Sequence, residues 1–315
     1  MRFLFLPRLF RSWLFAAAVA LMGLPAAPAE SVTDSWSRVD WHGEAAWAAE
    51  RGGVRAVVSA ARTRLIYLGA ADGSLNLLSA PVPAASPANR DDSPNWGGHR
   101  FWLGPQKRWV WPAPVEWEHA AAAQVEVRGA VLVVRHQRIE TGYPELVREY
   151  AWAGTQLRCT VRWRDDGRPY FGMHVVAVNL PFAITARRVV WSEVPEGIVD
   201  VQMMGPVVKG MLAHPAIKTR DDQVTLRAGI KMAKVGFVPQ RLEVGCAGGW
   251  RLAVSPGPTE GVALEAPDKG YLSQVWVGGP SDPLAELEQL TPYLIGGADG
   301  MCASTIFIEA TAPAK

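Results

Sequence analysis

The stretch Gln156-Leu157-Arg158-Cys159-Thr160-Val161-Arg162-Trp163-Arg164 decides how the rest of the chain is read. Leu157, Cys159, Val161 and Trp163 occupy every second position, with Arg158, Thr160, Arg162 and Arg164 around them. Successive side chains of a strand point to opposite faces, so this alternation turns one face to a core and the other to water. Cys159 belongs to the apolar face and reads as a buried thiol.

The same period recurs in both directions. Upstream lie Gln124-Val125-Glu126-Val127-Arg128-Gly129, the run Val131 to Val134, and Leu146 to Trp152. Downstream follow Phe171 to Leu180, Arg187 to Trp191, Val199 to Met203, Gln223 to Leu226, Leu242 to Val244, Trp250 to Val254, Tyr271 to Val277 and Thr305 to Glu309. Asp165-Asp166-Gly167 reads as a hairpin turn between two of these strands. About fifteen short strands in one chain predict a mainly β protein built on two large packed antiparallel sheets. The 30 glycines and 24 prolines supply turns for such a fold. The one helical stretch expected runs from Asp40 to Ala49.

The chain opens with a different signal. Arg2, Arg8 and Arg11 precede the apolar run Trp13 to Leu24, and Ala27-Pro28-Ala29 follows as an Ala-x-Ala site. That order is a secretory signal peptide, and its apolar run falls short of the ~20 residues that span a bilayer. Residues 1–29 are therefore expected to be removed, leaving 30–315 as one soluble domain, periplasmic or secreted. No stable membrane insertion is expected.

The leader holds three arginines and no acid, so the formal charge of +2 falls to −1 without it. The basic footprint of a nucleic-acid binder is missing. Cys159, Cys246 and Cys302 have no metal-ligand spacing, no metal or cofactor is expected, and a Cys246–Cys302 bridge is one option in an oxidising compartment.

Ser79 to Pro94 reads as a long Pro- and Ala-rich loop of the functional kind. It leads into Asn95-Trp96-Gly97-Gly98-His99-Arg100-Phe101-Trp102-Leu103-Gly104-Pro105-Gln106-Lys107-Arg108-Trp109-Val110-Trp111-Pro112-Ala113-Pro114-Val115-Glu116-Trp117-Glu118, which holds five of the 14 tryptophans. Aromatic faces stack on the C–H faces of sugar rings, while Asn95, Arg100 and His99 suit their hydroxyls. On this reading Trp96, Trp102, Trp109 and Trp111 line a sugar groove. The competing reading is an aromatic minicore under the loop.

The pattern Asn-Trp-Gly-Gly-His-Arg-x-Trp-x-x-Pro, followed by Trp-x-Trp-Pro-x-Pro, resembles a family of bacterial proteins related to the galactose mutarotase-like sugar proteins. Lys234-Val235-Gly236-Phe237, Val275-Trp276-Val277-Gly278-Gly279 and Ala285-Glu286-Leu287-Glu288-Gln289-Leu290 keep the same order. The resemblance implies a β-supersandwich with a sugar cleft on one concave sheet. It further implies acid–base chemistry in which a carboxylate takes the anomeric proton and a histidine protonates the ring oxygen. Glu288 matches the late glutamate, Glu286 competes for that role, and His99 or His174 would be the acid. The Asn-x-x-x-His-x-Tyr-Phe-Asn strand of true aldose mutarotases is absent, with Gly172 to Asn179 only a loose counterpart.

No Gly-x-Ser-x-Gly elbow, phosphate loop or His-Glu-x-x-His pair is present. Two opposed carboxylates for glycoside hydrolysis could come from Glu116, Glu118, Glu286 and Glu288. Three readings stand: an exported sugar epimerase or related enzyme, a non-catalytic carbohydrate-binding protein, and an envelope-structural domain without a sugar ligand.

Overall fold

A computed structural model of the chain describes residues 35–80, 96–109, 113–118, 120–139, 142–179, 183–187, 215–220, 223–280 and 284–314. Asn95, Trp111, the strand expected at Val199 to Met203, and nearly all of the Ser79 to Pro94 loop lie outside these residues.

β1 (Ser37–Trp41), β2 (Glu44–Arg51), β3 (Val54–Ser59) and β4 (Arg64–Ala70) form a four-stranded antiparallel meander. Next come β5 (His99–Gly104), the short helix α1 (Val115–Glu118), β6 (Ala122–Arg128), β7 (Val131–His136), β8 (Leu146–Ala153), β9 (Gln156–Arg164) and β10 (Phe171–Val178). β11 (Ala183–Arg187), β12 (Ile217–Arg220), β13 (Gln223–Arg227), β14 (Ala233–Phe237), β15 (Leu242–Gly245) and β16 (Arg251–Glu260) follow. The chain closes with β17 (Val262–Ala263), β18 (Ser273–Val277), β19 (Ala285–Leu290), β20 (Leu294–Ile295) and β21 (Met301–Thr311).

Ten of these strands form one antiparallel sheet in the order β12-β13-β11-β15-β16-β21-β9-β8-β7-β6, and five form another in the order β14-β18-β19-β10-β5. The two sheets share a core. Val176, Val235, Val275 and Leu287 of the smaller sheet meet Leu157, Cys159, Val254 and Ile306 of the larger. Full burial of each large aliphatic side chain contributes roughly 1.5–3 kcal/mol, so this seam is the main source of stability. A second cluster gathers Phe101, Trp102, Trp109, Trp117, Trp163 and Phe171. The mainly β sandwich expected from the alternation is what the chain forms. Among the described residues no helix is long and apolar enough to cross a membrane.

Two local expectations are corrected, and the bridge left open between Cys246 and Cys302 is not formed. Asp40 to Ala49 is not a helix but the β1–β2 hairpin, whose two-residue loop His42-Gly43 has φ of 55° and 85°. Two successive positive φ values make the turn that matches strand twist, and they interrupt an alanine-rich run that otherwise suits a helix. The Asp165-Asp166-Gly167 turn does not join paired strands: β9 lies between β8 and β21, while β10 lies between β5 and β19. It carries the chain from one sheet to the other, and Asp165 accepts at 2.8 Å from both Gly167 N and Gly296 N. Cys246 and Cys302 are free thiols. They sit in different hydrophobic clusters, so no bridge joins them.

Candidate functional site

Register fixes the two faces of the five-stranded sheet. In β19, Ala285 and Leu287 point to the seam, so Glu286 and Glu288 point the other way. Ala177 and Trp276 flank Glu286, while Val175 and Gln274 flank Glu288. Val175 in turn pairs with Arg100, Met173 with Trp102, and Trp276 with Lys234. One face therefore carries Glu286, Glu288, Arg100, Trp102, Gln274, Trp276 and Lys234. These come from four strands far apart in sequence.

Charges on this face are matched. Lys234 Nζ donates to Glu288 Oε2 at 2.6 Å, and Arg100 Nη2 donates to Glu286 Oε1. Arg100 also lies 3.9 Å from Glu118 Oε1, and its guanidinium sits 4.7 Å over the Trp102 ring. Glu118 accepts at 3.0 Å from both Arg64 Nη1 and Trp102 Nε1. Burial alone would raise the Glu118 carboxyl, but Arg64 and Arg100 outweigh it and hold the group below the ordinary carboxylate range. Ionised buried carboxylates need such compensation.

Two polar atoms beside the glutamates, on Gln274 and Trp276, have no hydrogen-bond partner among the described residues. Gln274 donates through Nε2 to Asp268 Oδ2 at 2.7 Å and to Tyr271 O at 2.9 Å, which leaves its buried Oε1 unbonded. The buried Trp276 Nε1 is unbonded as well. A buried donor or acceptor left unsatisfied costs about 1–3 kcal/mol, and such groups in a folded protein call for an explanation. Here an acceptor and a donor stand beside Glu288 and Glu286, as a ligand bearing hydroxyls requires.

His99 and His174 lie on the opposite face, inside the seam. His99 Nε2 is 2.9 Å from His174 Nδ1, and His174 Nε2 is 2.8 Å from Ser304 Oγ of the larger sheet. Arg148 Nη1 donates to His99 O at 2.8 Å and its Nε donates to His136 Nε2 at 2.9 Å. His136 Nδ1 completes the chain at Glu116 O, 2.7 Å away. Burial pushes His174 down to about 3, with Arg148 adding to the effect. Burial likewise holds His99 and His136 well below the usual range for imidazole. The sheet separates both predicted acids from Glu288, because His99 and Arg100 are neighbours on one strand and must point to opposite sides. A shared sugar ring cannot contact Glu288 and either histidine.

The tryptophan segment divides between strand and core. Gly97 and Gly98 have φ of 57° and 68°, and a Cβ on either would lie within 2.2 Å of a backbone carbonyl oxygen, Ser79 O or Leu65 O. Only glycine lets the chain pass so close to its neighbours before β5 begins. Trp109 donates through Nε1 to Leu103 O at 2.8 Å and packs edge-on against Trp102 and Trp117. Trp96, at 5% exposed, has Arg64 5.9 Å from its ring. Trp96, Trp102 and Trp109 are thus interior side chains, and of the three only Trp102 stands on the carboxylate face. Glu116 is buried on α1.

Lys234, Gln274 and Trp276 were not singled out by sequence reasoning as site residues. Their signal was present: each interrupts an apolar alternation, in Lys-Val-Gly-Phe and in Gln-Val-Trp-Val, on the side away from the valines. Arg64, Arg148 and Ser304 carry no pattern that would have marked them.

No family model and no curated protein matches the chain. Solved structures do. A candidate aldose 1-epimerase from Escherichia coli K12 aligns with a TM-score of 0.58 at 11% identity, covering 85% of this chain and 99% of that one. A candidate mutarotase from Salmonella typhimurium gives 0.56 at 11% identity over 90% of this chain and 96% of its own. A galactose mutarotase-like protein from Lactobacillus casei ATCC 334 gives 0.54 at 10% identity, over 84% of this chain and 100% of that one. At such identity the likeness speaks for architecture, and it agrees with the sheet order and packing already described: the chain has the galactose mutarotase-like fold.

Proposed function

We propose that the protein is an exported carbohydrate-binding protein of one domain over residues 30–315, with its site on the carboxylate face of the five-stranded sheet. The observation that carries this reading is the unbonded pair Gln274 Oε1 and Trp276 Nε1, buried beside Glu288 and Glu286. A sugar hydroxyl can donate to the first and accept from the second. The descriptions of the solved structures that share the fold, aldose 1-epimerase and mutarotase, point to the same ligand class. Export rests on the leader at residues 1–29.

A second reading adds acid–base chemistry with Glu288 as base. The 2.6 Å contact between Glu288 and Lys234 favours it, because it sets a carboxylate and an ammonium side by side on the face where a ring would lie. Lys234 then replaces the histidines as the group that faces the ring oxygen. Under the binding reading alone, the pair only holds hydroxyls. The absence of histidine from this face, among the described residues, makes binding the primary reading.

A glycan-array screen of the mature protein tests the proposal, followed by titration of Trp276→Phe and Glu288→Gln with the best saccharide. Trp276→Phe should weaken binding by about tenfold, the value of one hydrogen bond to a buried group. Binding that ignores Trp276 and Glu288 moves the site off the carboxylate face, and no glycan bound at all favours the structural reading. Intact mass of the exported form, expected to begin at Glu30, checks the leader.

A further inference from the structure

A groove of about 520 Å³ opens where the carboxylate face ends. Pro105 in its wall directly follows Gly104, the last residue of β5. Gly104 pairs with Phe171, and Phe171 meets the Tyr293 ring edge-on at 5.1 Å. Tyr293, also in the wall, is five residues beyond Glu288, so at most ~18 Å of extended chain separates them. Pocket and face therefore adjoin.

The groove combines charged side chains with apolar surface. Arg108 Nη1 donates to Pro169 O at 2.7 Å, and its guanidinium lies 4.7 Å over the Tyr170 ring. That is the only hydrogen bond of the Arg108 side chain among the described residues, so the rest of the fork is left for a ligand. Lys107 is exposed and has no bonded side-chain partner among the described residues; Glu265 also lines the groove. Tyr293, Leu264 and the two prolines give the apolar surface. An Arg fork held in place matches a carboxylate in two parallel bonds. A tyrosine face beside it suits a sugar ring, and Glu265 can accept from a hydroxyl. The volume lies within the ~300–1,000 Å³ of small-molecule sites.

We propose that this groove is a subsite for an acidic sugar unit, its carboxylate held by Arg108 and Lys107 and its ring against Tyr293. The inference extends the carbohydrate reading of the adjoining face and names the class of saccharide. Two cations against one acid select one negative charge, whereas a neutral sugar leaves one positive charge unmatched.

Calorimetric titration of the mature protein with galacturonate and with galactose tests it, using the native chain, Arg108→Gln, Lys107→Gln and Trp276→Phe, each checked for an unchanged melting temperature. Galacturonate should bind about tenfold or more tightly than galactose, and the preference should shrink as salt rises. Arg108→Gln should lower galacturonate affinity to that of galactose, and Lys107→Gln, on an exposed side chain, should lower it in part. Equal affinities for the two sugars, or binding of neither, overturn the proposal. So does a preference that survives both substitutions. If galactose binds and Trp276→Phe weakens it while no acidic preference exists, the subsite fails and the carbohydrate reading stands. If only galacturonate binds, in an Arg108-dependent and Trp276-independent way, the subsite stands and the reading of the carboxylate face fails.

Discussion

Lys234 Nζ lies 2.6 Å from Glu288 Oε2, a contact that crosses over β18 and ties the edge strand β14 to the centre of the sheet. The Glu288 side chain is 3% exposed and that of Lys234 12%, so water compensates neither charge well. Removing the lysine leaves a buried anion, whereas removing the anion leaves a cation on a flexible stem nearer the surface. Lys234→Met should therefore cost about 3–5 kcal/mol of stability, and Glu288→Gln clearly less. Urea unfolding of both variants decides it, and equal losses would contradict this account. If Glu288 is a base, Glu288→Gln should also slow anomer exchange by about two to four orders of magnitude while sugar still binds. NMR exchange spectroscopy reads that rate.

Glu118 on α1 ties two strands together through Arg64 from β4 and Trp102 and Arg100 from β5. Arg64 is fully buried. Truncation by Glu118→Ala strands that guanidinium in the interior and should cost about 3–5 kcal/mol. Glu118→Gln keeps one acceptor and should cost less. Because the folded carboxyl sits below its ordinary value, its contribution is present above the unfolded pKa and is lost as pH falls through the folded one. A denaturation series in which both variants match the native chain would refute the role.

Acid should weaken the seam between the sheets. His99, His136 and His174 are held neutral by burial, with His174 lowered to about 3. Below the unfolded imidazole value near 6.5 the unfolded chain binds protons that the folded chain refuses. Stability should thus be level above about pH 7 and fall as pH drops from 6.5, with each such histidine steepening the slope by up to ~1.4 kcal/mol per pH unit. His174→Gln should flatten the acid limb, even though it loses stability at neutral pH. Melting temperatures from pH 4 to 8 test this, and parallel curves would exclude the histidine origin.

The three thiols should be silent in the native state. Burial raises Cys246 and Cys302 to about 11, and raises Cys159 by more. A thiolate is the reactive form, so a thiol reagent should modify none of them quickly at pH 8 and all three after unfolding in guanidinium. Fast native labelling, or fewer than three thiols in the reduced-free unfolded protein, would count against free buried cysteines.

The order of strands was legible because alternation is local. Gln156–Arg164 is a strand over those very residues, and β7, β8, β13 and β15 begin where the pattern predicts. The positions of Glu286 and Glu288 on one face followed from their spacing of two, and Leu287 between them faces the core as that spacing requires. The Asp40 to Ala49 error arose where alanine content favours a helix and a single His-Gly turn outweighs it.

What the chain alone left undetermined was which face of a strand is which. In β5 and β10 every residue is buried, so no contrast of polar and apolar positions tells the seam from the opposite side. Strands covered on both faces lose that signal. The tryptophan segment therefore named His99 and Arg100, and the family resemblance Glu286 and Glu288, but only pairing across β5, β10, β19, β18 and β14 set Arg100 beside the glutamates and His99 behind them. Lys234 reached Glu288 for the same reason: residues 54 positions apart meet only when β18 is laid between their strands, a relation that hydrogen-bond register creates and local pattern does not contain.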